Sequence, residues 1–205
     1  MGYQAPLSDI TFMLEKVVNY DNLRLTSHFE DTSLETASAI LNEAAKLAEE
    51  VLSPLQRVGD LNPATLENGV VRTSPGFSEG YTALAEGGWI GVAANPKYGG
   101  MGLPLTIQTC VNEMVNGACL SLSLNPLMSQ GQIDALEHHA NDQIKSLYLP
   151  KLISGEWSGT MNLTEPQAGS DVGSLTSKAI NTGDGCYSIT GQKIYISWGD
   201  NDFTE

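Results

Sequence analysis

The chain is 205 residues long and 41% hydrophobic, enough apolar material for the core of one large domain or two small ones. Ten basic against 24 acidic residues leave a formal charge of −14. That field repels a phosphate backbone and an anionic bilayer, so the composition speaks against general nucleic-acid binding and membrane-surface attachment.

No apolar run is long enough to span a bilayer. Asp9, Glu15 and Lys16 interrupt an N-terminal stretch that lacks a basic start, so a secretory leader is not expected and the expected location is cytoplasmic. Cys110, Cys119 and Cys186 are odd in number, and their spacing fits neither a disulfide framework nor a zinc site; reduced thiols are expected.

Up to Trp157 the apolar period is helical. Ile10, Leu14 and Val17 share one face of a short first helix. Thr32 and Glu35 have capping-box spacing. Behind them Leu34, Ala37, Leu41, Ala44, Ala48, Val51 and Leu55 form a stripe on a helix of about six turns, expected to end near Pro54. Further helices are expected at about 76–87, 104–118, 126–139 and 141–154, punctuated by Gly87-Gly88 and Gly99-Gly100. Pro150 is expected to break the last into two pieces, with Gly155 capping its end.

After Trp157 the period falls toward two. Strands are expected at about 158–163, 174–180, 186–190 and 193–197, with turn chemistry at Asn181–Gly185 and Thr190–Gln192. The order predicts an α+β chain: an all-α domain over residues 1–157, then an antiparallel β domain beginning at 158. The last residues, from Trp198 onward, carry no closing turn or capping helix, so the β domain is expected to be incomplete in these 205 residues.

Several signatures fail on spacing. In Gly99-Gly100-Met101-Gly102 the third glycine of a dinucleotide fingerprint would fall at Leu105, and no βαβ context surrounds it. No G-x-x-x-x-G-K-[ST] occurs. Ser129 precedes Gln130-Gly131, but Leu127 stands where a nucleophile elbow needs glycine. His138 and His139 are adjacent, so on a helix they point about 100° apart and cannot chelate one metal; no metal site is expected, and His28 stands alone.

The informative stretch is Met161-Asn-Leu-Thr-Glu-Pro-Gln-Ala-Gly-Ser-Asp-Val172. Pro166 lacks an N–H and pushes Glu165 toward extended geometry. Ala168-Gly169-Ser170 is a run of minimal side chains that lets a planar or phosphorylated ligand approach the backbone. Gly169 permits positive φ, so its neighbours' N–H groups can converge on an anion, with the Ser170 hydroxyl and Thr164 as further donors. The same residue types also make a tight strand-ending turn with no ligand, and both readings stand on this ground alone.

TEPQAGSD resembles the T-E-P-x-A-G-S-D signature of the acyl-CoA dehydrogenase family. Tyr148-Leu-Pro-Lys-Leu-Ile-Ser-Gly-Glu-Trp157, Pro96-Lys-Tyr-Gly-Gly-Met-Gly-Leu103 and Gly191-Gln-Lys-Ile-Tyr-Ile-Ser197 are similar to three further motifs of that family. Ala5-Pro-Leu-Ser-Asp-Ile10 is similar to the opening of its longer-chain subgroup, which includes methylthiopropanoyl-CoA dehydrogenases. The resemblance covers essentially the whole chain.

The resemblance implies a helical domain, a middle β-barrel domain and a C-terminal helical domain, of which this chain matches the first and the start of the second. It implies FAD as cofactor, an acyl-CoA substrate, an electron-transfer flavoprotein as electron acceptor, and a homodimer or homotetramer. Carried over by motif, Met161, Leu163 and Thr164 would meet the flavin ring. Gly169 and Ser170 would lie beside the cofactor diphosphate, with Ser170 also at the acyl-CoA. Tyr195 would pack on the isoalloxazine where many relatives have Trp, and Ser197 would sit near N5 where many have Thr.

The implied reaction removes an α proton and a β hydride from an acyl thioester. The proton needs a polarised carbonyl and a carboxylate of raised pKa in a dry site. The family places that carboxylate in its C-terminal helical domain and gives the motif's glutamate, here Glu165, a structural role. Glu113, Glu137 and Glu156 read as solvated or capping groups. No catalytic residue is therefore assigned, and these 205 residues alone are expected to be inactive. An acyl-CoA oxidase or flavin monooxygenase on the same scaffold, and a non-catalytic CoA- or partner-binding relic, remain as alternatives.

Overall fold

The computed structural model describes residues 2–204. The chain divides into two compact units, one comprising residues up to Gly159 together with those from Asp200 onward, the other Thr160–Gly199.

The first unit is helical. α1 (Leu7–Phe12) runs on as a π-helical turn, Met13–Val17, and buries Ile10 and Leu14. α2 (Leu34–Lys46) begins at Ser33, whose extended backbone lets its hydroxyl accept the Thr36 N–H at 3.1 Å. Ser33, one residue nearer the helix, displaces the expected Thr32–Glu35 pair from the cap. The stripe buries Ala37, Leu41, Ala44 and Ala48 as expected. It does not end near Pro54. A π-helical turn, Leu47–Leu52, leads into α3 (Ser53–Leu61), with Pro54 in the first turn, where a missing N–H costs no helical bond.

A hairpin follows that the apolar pattern does not announce: β1 (Thr65–Glu67) pairs antiparallel with β2 (Val70–Arg72). Asn68 and Gly69 between them both take positive φ, 52° and 81°, as a two-residue hairpin turn of this hand requires. α4 (Phe77–Glu86) buries Phe77, Tyr81 and Leu84. The loop after it closes so tightly that a Cβ on Gly100 would stand 2.0 Å from the Ala94 carbonyl oxygen, which admits only glycine.

α5 (Leu105–His139) is two helices joined at Cys119, whose φ −154° and ψ 83° are not helical. The Asn112 amide donates to Gln130 Oε1 at 2.8 Å and Ser123 Oγ to Asn116 Oδ1 at 2.6 Å. On a straight helix Asn112 and Gln130 would lie about 27 Å apart, so the two halves fold back on each other. α5 packs against α2, α3 and α6 and carries the centre of the core, Ile107, Val111, Met114 and Leu122.

α6 (Asp142–Ser154) is capped by Asn141, whose Oδ1 accepts the Ile144 N–H, and by Gly155 at φ 78°. Pro150 does not break it. Pro150 and Ser146 are exposed, so the lost helical bond faces water while Leu149, Leu152 and Ile153 hold the opposite face in the core. The final residues return to this unit. Asp202 Oδ1 accepts from the Thr73 hydroxyl at 2.6 Å, Phe203 lies 4.8 Å from the Tyr81 ring, and the Thr204 and Ser158 hydroxyls are 2.8 Å apart.

In the second unit β3 (Lys178–Asn181) pairs antiparallel with β4 (Tyr187–Thr190), in a register that sets Lys178 opposite Thr190. The chain is thus α+β with short antiparallel strands after the helices. The strands expected at 158–163 and 193–197 do not form. Tyr195, in the middle of the second, sits at positive φ, 56°, which interrupts an extended run there. No described helix is long and apolar enough to cross a membrane, and no group of metal-binding side chains is found among the described residues. The three cysteines are free.

Candidate functional site

The motif folds as a tight turn within the second unit. Glu165 and Ala168 exchange both backbone bonds, N–H to O at 2.9 and 3.0 Å, with Pro166-Gln167 at the apex. The turn is set by Glu165, only 2% exposed. Its carboxylate accepts from Lys193 Nζ at 2.8 Å, Gln167 Nε2 at 2.6 Å, the Thr176 N–H at 2.7 Å and hydroxyl at 3.0 Å, and the Ser177 N–H at 3.0 Å. The Lys193 ammonium, then the Thr176 and Ser177 amides, hold the carboxyl well below the usual carboxylate range. A buried carboxylate so paired stays ionised and cannot take up a substrate proton near neutrality.

Glu165 therefore ties three segments together. Lys193 also donates to the Leu163 carbonyl at 2.9 Å, and the Ile194 N–H to the Thr164 carbonyl at 2.9 Å. These bonds bring Leu163 and Thr164 beside Tyr195. Met161, Leu163 and Tyr195 are 63%, 40% and 89% exposed, an unusual surplus of large apolar surface for so small a unit. Ser197 lies exposed two residues further on.

Gly169 and Ser170 stand exposed on the far side of the turn. Gly169 is not among the glycines of positive φ, so the left-handed anion nest that its sequence permits is not built. The position is nevertheless open: a Cβ there would meet only Thr164 Cγ2, at 3.9 Å. Asp171 turns away to cap the next short turn, accepting from the Gly173 N–H and the Ser174 hydroxyl.

Lys193 is the residue that sequence reading missed. A buried carboxylate needs a counter-charge, and Lys178 and Lys193 are the only basic residues between positions 160 and 199, a signal that was there to use. Glu137 accepts from the Asn95 N–H and Glu156 pairs with Lys151, so both are structural carboxylates.

Residues 35–156 match the family described as the acyl-CoA dehydrogenase N-terminal domain, more than half of the chain. The chain belongs to the acyl-CoA dehydrogenase family. It is 40% identical over 205 residues to 3-methylmercaptopropionyl-CoA dehydrogenase of Ruegeria pomeroyi, covering all of this chain and 35% of that protein. It is 31% identical over 206 residues to a butyryl-CoA dehydrogenase of Syntrophomonas wolfei, covering 98% of this chain and 34% of that one. The chain thus spans about a third of the length of these curated relatives. Among solved structures, the acyl-CoA dehydrogenase from Geobacillus kaustophilus superposes with TM-score 0.67 at 23% identity, over 80% of this chain and 40% of its own. That of Bacillus anthracis complexed with FAD gives TM-score 0.65 at 24% identity, over 82% of this chain and 27% of its own. Both likenesses are of fold. The family match lies in the helical unit, so the turn around Glu165 is a separate line of observation.

Proposed function

We propose that the protein dehydrogenates acyl-CoA thioesters between the α and β carbons with FAD as its cofactor, and that residues 160–199 form part of the cofactor site. The observation that carries this reading is the turn held by Glu165, around which Met161, Leu163 and Tyr195 stay exposed and the backbone at Gly169 stays open. The residues present fit such a group. Met161, Leu163 and Tyr195 offer an exposed face for a flat ring system, and Gly169 leaves room for close approach beside the Ser170 hydroxyl.

FAD, when bound, supplies the acceptor for the substrate's β hydride. Met161, Leu163 and Thr164 would meet the flavin ring, largely through backbone groups, and Tyr195 would pack on it. Ser197 would offer its hydroxyl to the ring's polar edge. Gly169 and Ser170 would lie beside the diphosphate, Ser170 also at the acyl-CoA. Glu165 holds the turn and, through Lys193, the Leu163 backbone, and takes no proton. The carboxylates bonded here are engaged in the fold, so the 205 residues by themselves are expected to show no acyl-CoA-dependent dye reduction. An electron-transfer flavoprotein is the proposed acceptor of the electrons, and a homodimer or homotetramer the proposed assembly.

The test uses the native full-length protein. It should purify with bound FAD and reduce an artificial dye on addition of acyl-CoA without releasing peroxide; peroxide would point to an oxidase. Tyr195→Gly should lose flavin at least about 10-fold while the apoprotein melts no lower, because glycine relieves a left-handed conformation worth about 1–2 kcal/mol. Full flavin retention in that variant overturns the assignment of Tyr195.

A further inference from the structure

Away from the turn, α1 and the first half of α5 enclose an open groove of about 550 Å³. Its floor is apolar and closed by buried Ile10 and Leu14. Its lips are Met13, Val18 and Leu105, respectively 47%, 47% and 67% exposed. Large apolar side chains gathered around one concavity mark an interaction surface. The charges at the groove are of one sign: Asp9 and Glu113 line it, and no lysine or arginine does. Burial first, and then the charges of Glu113 and Glu49, raise the Tyr3 phenol.

We propose that this groove docks an amphipathic helix of a partner protein, whose apolar stripe fills the channel and whose Lys or Arg residues meet Asp9 and Glu113. The groove is open, and its lining follows α5 from Leu105 to Glu113, about two helical turns, opposite α1; an apolar channel flanked by two helices takes a third by anchors at i, i+3 and i+4. Charge complementarity selects a cationic occupant. A second copy of this chain would bring a charge of −14 to an acidic rim, and an anionic lipid surface would be repelled in the same way.

The test titrates the full-length protein with a fluorescent synthetic peptide of about four helical turns, leucine on one face and lysine on the other. One control peptide replaces every lysine by glutamate; another scrambles the order at constant composition. The lysine peptide should bind saturably. Met13→Asp and Glu113→Lys, both at exposed positions and so expected to fold, should each weaken it about 10-fold with unchanged circular dichroism. Equal binding of the glutamate or the scrambled peptide overturns the proposal, as does binding that neither variant weakens. Self-association of the wild-type protein that Met13→Asp abolishes also overturns it, in favour of a second copy.

Discussion

At Glu165, five donors converge on one buried side chain, and its pairing with Lys193 crosses 28 positions of sequence. Removing one partner of such a pair leaves the other charged and poorly solvated, whereas removing both does not. Glu165→Gln and Lys193→Met should each lower the melting temperature, and the double variant should lie well above the sum of the two losses. Additive losses would deny the coupling. The pH dependence has a fixed sign. The folded carboxyl titrates below its unfolded value, so its contribution is complete above about pH 4.3 and is lost as pH falls from there through the folded value. Glu165→Gln should flatten the acid limb of the stability profile. The motif itself was legible because Thr164 to Asp171 is a long, specific string; the pairing to Lys193 was legible only as far as two candidates, Lys178 and Lys193, because nothing local ties either to Glu165.

Helical elements were legible where one face is buried and the other wet. The stripe from Leu34 to Leu55 was found because its apolar positions recur at the helical period along the buried side. Its limits were less legible, since caps depend on one hydroxyl's reach. Ser33→Ala should cost about 1 kcal/mol by urea denaturation, while Thr32→Ala should change stability by less than about 0.5 kcal/mol; the reverse order would restore the Thr32 cap. The β1–β2 hairpin escaped because nearly all its residues are exposed on both faces, so it has no alternation to read; Asn68-Gly69 was its only mark. The segment 193–197 alternates like a strand and bonds Thr164 through the Ile194 N–H, yet its backbone turns at Tyr195 before a ladder forms. Periodicity reports which side a strand would bury, and says nothing of whether a partner is present.

For the molecule as a whole, the two units differ in how they are held. The helical unit has a continuous apolar core around α5; the unit from Thr160 to Gly199 depends on polar bonds around a single carboxylate, with its β3–β4 hairpin exposed throughout. Amide hydrogen exchange should therefore be slowest in α5 and much faster in β3 and β4; equal protection would contradict this division. The last described residues belong to the helical unit, through Thr73 and Asp202, Tyr81 and Phe203, and Ser158 and Thr204. In connectivity, the second unit is an insertion whose two ends leave and re-enter the same body, where Ser158 on one side bonds Asn201 and Thr204 on the other. The helical body pays the closure of that long loop, and a closed loop tolerates changes of length at little entropic cost. Residues 160–199 thus behave as a cassette, which a short linker from Gly159 to Asp200 could replace without unravelling the body that carries it.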